Sequence, residues 1–182
     1  MPSDLTPGNT ALLCIDYQER LLPTIFEREE IVKNATIMIR AAKVLGIPIV
    51  VTEQYSKGLG KTVKPVADAL GDYDAIEKVH FSSFGSEEFT SHLTGVGRTN
   101  LLVMGVEAHV CVCQTVLEAL RRNFRVYVLE DATSSRTERN RQIAFERMRA
   151  AGAYPASTEM VIFELLSKAG TPEFKEILKF VK

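Results

Sequence analysis

Three side chains of complementary chemistry, Asp16, Lys78 and Cys111, each lie at or just beyond a short apolar run. Asp16 follows Thr10 to Ile15 (TALLCI), Lys78 sits in Ala75 to Val79, and Cys111 comes shortly after Asn100 to Met104. A carboxylate, an ammonium and a thiol are the parts of a nucleophilic site: the base takes the thiol proton, the cation favours the thiolate, and sulfur attacks an acyl carbon. Singly, each has a bland reading as a buried inert thiol, a turn-capping aspartate or a solvated lysine; only convergence on one rim makes them a site. Cys111 follows the strand-turn Met104-Gly105-Val106 and opens a predicted helix, so free N–H groups and the positive dipole end are expected to lower its pKa. Cys113 lies about 200° further round that helix and is read as packing, and Cys14, inside a strand, as a small hydrophobe.

Convergence requires a scaffold. Thr10 to Ile15, Ile47 to Thr52, Asn100 to Met104 and Arg125 to Leu129 are continuous apolar runs, the pattern of strands buried on both faces of a parallel sheet. Between them, Ile31, Ala35, Met38, Ala42 and Leu45 form one helical stripe that ends at Gly46. Cys111 to Asn123 and Thr137 to Ala151 read as helices, Val63 to Tyr73 as a short helix and turn, and the tail from Thr171 as a surface helix with Phe174, Ile177, Leu178 and Val181 on its apolar side. The βαβ order predicts a single α/β domain over residues 1–182, a three-layer sandwich with a mostly parallel sheet of about six strands and helices on both faces. Such sheets bind ligands beyond the carboxyl ends of their strands, where Asp16, Glu53, Gln54, Lys78, His80, Glu107 to Cys111 and Asp131 are expected to meet.

Composition bounds the function. The 182 residues are 46% hydrophobic and 25% charged, and 22 Lys+Arg against 23 Asp+Glu give a net charge of −1. That excludes a fibrous or disulfide-stapled chain and offers no field to draw nucleic acid or an anionic membrane, which leaves a small molecule as the expected partner. No apolar run approaches the roughly 20 residues of a membrane span. Three cysteines, an odd number, favour free thiols in a reducing compartment, and Met1 to Asn9 lacks a secretory pattern. A cytoplasmic location is expected, or the mitochondrial matrix in a eukaryote.

The segments Leu13-Cys14-Ile15-Asp16-Tyr17-Gln18, Glu77-Lys78-Val79-His80-Phe81-Ser82-Ser83-Phe84 and Gly105-Val106-Glu107-Ala108-His109-Val110-Cys111-Val112-Cys113-Gln114-Thr115, with Asp131-Ala132 after the fifth run, together resemble the isochorismatase-like cysteine hydrolases. The resemblance runs from about Thr10 to about Leu166. It implies a Rossmann-like fold, a Cys-Asp-Lys triad carried by Cys111, Asp16 and Lys78, and a non-proline cis bond at Val106-Glu107. That bond would turn the Glu107 N–H toward the Cys111 N–H to make an oxyanion hole. It also implies a thioester acyl-enzyme and a homo-oligomer. Members that open the vinyl ether of isochorismate do not need the cysteine, so Cys111 favours hydrolysis of a small amide.

The stretch Thr52-Glu53-Gln54-Tyr55-Ser56 lacks the Asp-x-His pair of the family's nicotinamidases, and His80, His92 and His109 are scattered, so neither a metal site nor any other cofactor is expected. The stretch instead resembles the isochorismatase domain-containing subgroup. Tyr17, Gln18, Gln54, Tyr55, Phe81 and Phe84 are the candidate substrate contacts, with core packing the alternative for Tyr17, Phe81 and Phe84. Gly58-Leu59-Gly60-Lys61-Thr62 lacks the first glycine of a phosphate loop, and Arg136, Arg139, Arg141, Arg147 and Arg149 alternate with Glu138 and Glu146 as on a solvated face. Two rival readings are a catalytically silent binding or scaffold protein and a vinyl ether hydrolase of the isochorismatase type.

Overall fold

The computed structural model describes residues 5–181; Met1 to Asp4 of the polar amino-terminal stretch lie outside the described residues, as does Lys182. Six strands form one sheet: β1 (Thr10–Ile15), β2 (Ile49–Gln54), β3 (Ala75–Lys78), β4 (Asn100–Gly105), β5 (Arg125–Thr133) and β6 (Tyr154–Ala156). Every pairing is parallel and the order is β3-β2-β1-β4-β5-β6. Eight helices alternate with them: α1 (Arg28–Val44), α2 (Ser56–Leu59), α3 (Lys64–Leu70), α4 (Glu87–Val96), α5 (Cys113–Arg121), α6 (Glu138–Ala150), α7 (Thr158–Leu166) and α8 (Pro172–Val181).

Because side chains alternate across a strand, each central strand feeds two cores. Leu12 and Cys14 of β1 pack with α1, α3, α7 and α8, whereas Ala11, Leu13 and Ile15 pack with α4, α5 and α6. All six residues of β1 and of β4 are buried, which is why both read as unbroken apolar runs. The predicted stripe of α1 is its buried face: Ile31, Ala35, Met38 and Ala42 are almost wholly covered. Burial of a side chain the size of Ile31 or Met38 stabilises by about 1.5–3 kcal/mol.

Three differences from the sequence expectation have local causes. Strand β2 begins two residues later and runs on to Gln54, because Glu53 and Gln54 find ladder partners in Glu77 and Lys78. Strand β5 continues past Leu129 to Thr133, with an irregular register against β4. The sixth strand, with proline at its centre, is tolerated because it is an edge. Helix α8 is the expected surface helix: its apolar side, with Ile177 fully buried, packs on α1 and α7.

The sheet order reverses between β1 and β4, the crevice where ligands bind in such folds. Gly105 closes β4 there with φ +140°, and a Cβ on it would stand 2.1 Å from the Ile15 carbonyl oxygen. Gly105→Ala is therefore expected to lower unfolding free energy by about 3 kcal/mol or more. Urea titration of the two proteins checks this; an unchanged midpoint would contradict it.

Candidate active site

Asp16 terminates β1 in a left-handed conformation, φ 56°. Its Oδ2 accepts a hydrogen bond from Lys78 Nζ at 2.7 Å, and neither side chain has any exposed area. Its Oδ1 accepts from the Thr52 hydroxyl at 2.7 Å, so strands β1, β2 and β3 all contribute to one carboxylate. Lys78 Nζ also donates to Gln54 Oε1 at 2.7 Å and to the carbonyls of His80 and Phe81 at 3.4 Å. The Cys111 thiol, nearly buried, is close enough to Asp16 and Lys78 for both charges to act on its ionisation. The structure thus brings together the three residues singled out for chemistry.

Two expectations about Cys111 are corrected. The helix opens three residues earlier, as a π-helical turn over Ala108–Val112 that leads into α5. The Ser134 carbonyl accepts the Ala108 N–H at 2.7 Å and the Ser135 hydroxyl accepts that of His109 at 3.3 Å. These partners consume the first free donors ahead of the sulfur, while the Glu107 carbonyl takes the N–H groups of Val110 and Val112. The direction is also the reverse of that expected: burial pushes Cys111 up to about 12, negative Asp16 adds to the rise, and Lys78 opposes it without prevailing. Burial also raises Cys14, and raises Cys113 against the pull of Arg147.

The Val106–Glu107 peptide is cis. Among the described residues, the Glu107 N–H donates to no protein acceptor, while the Glu107 carboxylate is held by Arg136 at 2.7 Å.

The six expected substrate contacts separate. Tyr17 is buried in the α1-side core and its hydroxyl donates to the Ala132 carbonyl, so it does not line the rim. Gln18 is fully buried and spends its amide on the backbone of Gln54 and Gly60. Phe84 packs edge-on against Phe89 beneath the Arg122 guanidinium and belongs to the core. Gln54 holds Lys78. Tyr55 and Phe81 are exposed beside these groups, and so is Val79, which the sequence reading passed over. Asp131 is no rim residue: its carboxylate accepts from the N–H and hydroxyl of Thr158 at the start of α7. Thr52 was also missed; the available signal was a hydroxyl in the apolar run IPIVVT. Among the described residues no three His, Cys, Asp or Glu side chains form a metal-ligand group, and no helix is long and apolar enough to cross a membrane.

A parallel 3-2-1-4-5-6 sheet with a carboxylate, an ammonium and a thiol near its switch point defines a Rossmann-like α/β protein, and comparison with known proteins supplies the family. The isochorismatase domain model matches residues 10–160, and the chain belongs to that family. It is 40% identical to the secreted isochorismatase effector Isc1 of Phytophthora sojae, over 98% of this chain and 87% of that one. Against curated relatives the chain spans from 63% to 88% of their length. Among solved structures it resembles the MAR1 ribonuclease from Caenorhabditis elegans, with TM-score 0.92 and 37% identity over 98% and 92% of the two chains. YcaC from Pseudomonas aeruginosa, solved with hexane-2,5-diol and covalent acrylamide, gives TM-score 0.91 and 26% identity over 98% and 91%.

A thiol pushed up to about 12 is neutral at pH 7, and its thiolate fraction grows as pH rises. The rate of Cys111 alkylation by iodoacetamide is expected to climb about tenfold per pH unit between about pH 7 and 10. Peptide mapping by mass checks this, and a rate plateau below about pH 8 would contradict it.

Proposed function

We propose that this protein is a cofactor-independent hydrolase of a small, uncharged amide or related acyl compound, with Cys111 as nucleophile. The observation that carries the reading is the near-buried thiol set against the buried Asp16–Lys78 ion pair. Asp16 accepts the thiol proton as sulfur attacks the acyl carbon, so no standing thiolate is required. The developing oxyanion is received by the N–H groups of Glu107 and Cys111, a role supported by the unpartnered Glu107 N–H. Asp16 returns the proton to the leaving amine as the C–N bond breaks. The thioester is then attacked by a water whose proton Asp16 takes; the C–S bond breaks, the acid leaves, and Asp16 passes the proton to sulfur, which restores the thiol. Lys78 keeps Asp16 oriented and balances its charge.

The preference for an uncharged substrate follows from the same pair. The two charges that act on the thiol, Asp16 and Lys78, neutralise each other, and Tyr55, Val79 and Phe81 offer an apolar margin. Covalent acrylamide on YcaC fits a reactive nucleophile in this fold, since acrylamide alkylates thiols. The ribonuclease name of the Caenorhabditis elegans relative would call for phosphate-binding cations. Here Arg136, Arg141 and Arg149 are committed to Glu107, Glu27 and Glu130, and the net charge is −1. Exposed Ile143, Tyr154, Met160 and Phe163 support assembly with further copies of the chain.

The raised Cys111 pKa favours one rival, a silent binding protein that keeps the fold. Ammonia release from a panel of neutral carboxamides separates the two. Hydrolysis is expected with the wild-type protein, with a loss of at least about 10³-fold in Cys111→Ala and in Asp16→Asn. Equal turnover in Cys111→Ala would refute the nucleophile, and no turnover of any amide would favour the silent protein.

A further inference from the structure

We propose that Gln54 is a positioning residue for Lys78: its side-chain carbonyl sets where the ammonium stands between Asp16 and the thiol, and Gln18 anchors it. The inference rests on the reading of Cys111 as nucleophile and deepens it.

Strand β1 turns away from β2 at Asp16, where φ becomes positive, so the backbone of β1 cannot continue the ladder to Gln54. The side chain of Gln18 takes over. Its Oε1 accepts the Gln54 N–H at 2.7 Å, and its Nε2 donates to the Gln54 carbonyl at 3.0 Å and to the Gly60 carbonyl at 2.8 Å. A fully buried primary amide thereby imitates one residue of β-strand, and it fixes the backbone of Gln54 on both polar groups.

With its backbone held, the Gln54 amide faces a donor at one end and an acceptor at the other, and these set its orientation. Oε1 accepts from Lys78 Nζ at 2.7 Å, and Nε2 donates to the Val79 carbonyl at 2.9 Å. The donor end, tied to Val79, keeps the acceptor end on the ammonium. The hydrogen bonds close a ring from Gln18 through Gln54 and Lys78 to Asp16, two residues from the start. The two carbonyls that also face Lys78 Nζ stand at 3.4 Å, so Asp16 and Gln54 are its two close partners. An uncharged acceptor suits the position: it holds the cation and leaves Asp16 as its one counter-ion, so the pull of Lys78 on developing thiolate is preserved.

The test needs no substrate. Iodoacetamide alkylation of Cys111 is timed at pH 9, with Cys111→Ser correcting for Cys14 and Cys113 and circular dichroism confirming the fold. Gln54→Met, similar in size and without the amide, is expected to slow alkylation at least tenfold. In a Lys78→Met background the same substitution is expected to change the rate less than twofold, because its effect passes through the ammonium. Should Lys78→Met fail to fold, Lys78→Gln replaces it as the background, an uncharged side chain that can still donate to Asp16, and Gln54→Met is again expected to change the rate less than twofold there. Folded Gln54→Met within twofold of wild type, or losses that multiply in the double variant, would overturn the inference alone. A wild-type Cys111 that never alkylates would overturn the nucleophile reading and this inference with it.

Discussion

The ion pair between Asp16 and Lys78, at 2.7 Å with both side chains out of solvent, constrains everything around it. Two charges withdrawn from water must be closely paired and have their remaining hydrogen-bonding groups satisfied; removal of one partner from such a pair typically costs about 3–5 kcal/mol. Thr52 takes the second oxygen of Asp16, and Gln54 takes a second proton of Lys78. These residues come from three adjacent strands, so the parallel register of β1, β2 and β3 is what delivers the pair. Gly105, by bringing β4 against Ile15, sets the chain that leads to Cys111 on the same rim.

This arrangement explains why the thiol is quiet at rest. Cys111 faces a cation already balanced by an anion, in a nearly buried site, and burial dominates. The dipole-activated thiolate expected from the sequence assumed free N–H groups at the helix start, but the Ser134 carbonyl and Ser135 hydroxyl satisfy them. In the proposed reaction, attack is coupled to proton transfer to Asp16 and needs no standing thiolate.

Much of the scaffold was legible because its strands are buried on both faces. Unbroken runs such as TALLCI and the stripe from Ile31 to Ala42 have few alternative readings, and they placed Asp16 and the turn before Cys111 correctly. Lys78 was legible at the end of the short run Ala75 to Val79, and the family resemblance gave it the same place beside Asp16 and Cys111. What stayed hidden depends on where side chains point after a strand ends. Tyr17 and Gln18 follow Asp16 immediately, yet the left-handed turn sends Tyr17 to the core and Gln18 to the backbone of Gln54. Asp131 likewise follows the apolar part of its strand but caps α7. Such reversals are set by tertiary partners and leave no periodic trace.

In the proposed reaction the sulfur of Cys111 carries the acyl group between amide and acid. The most direct measurement of that step is rapid-quench mass spectrometry of the protein mixed with a neutral carboxamide that it hydrolyses, followed by peptide mapping of the adduct. A transient mass gain equal to the acyl group is expected, confined to the peptide bearing Cys111 and absent in Cys111→Ala. Turnover with no acylated protein at any quench time in the wild type, or an adduct elsewhere on the chain, would contradict it.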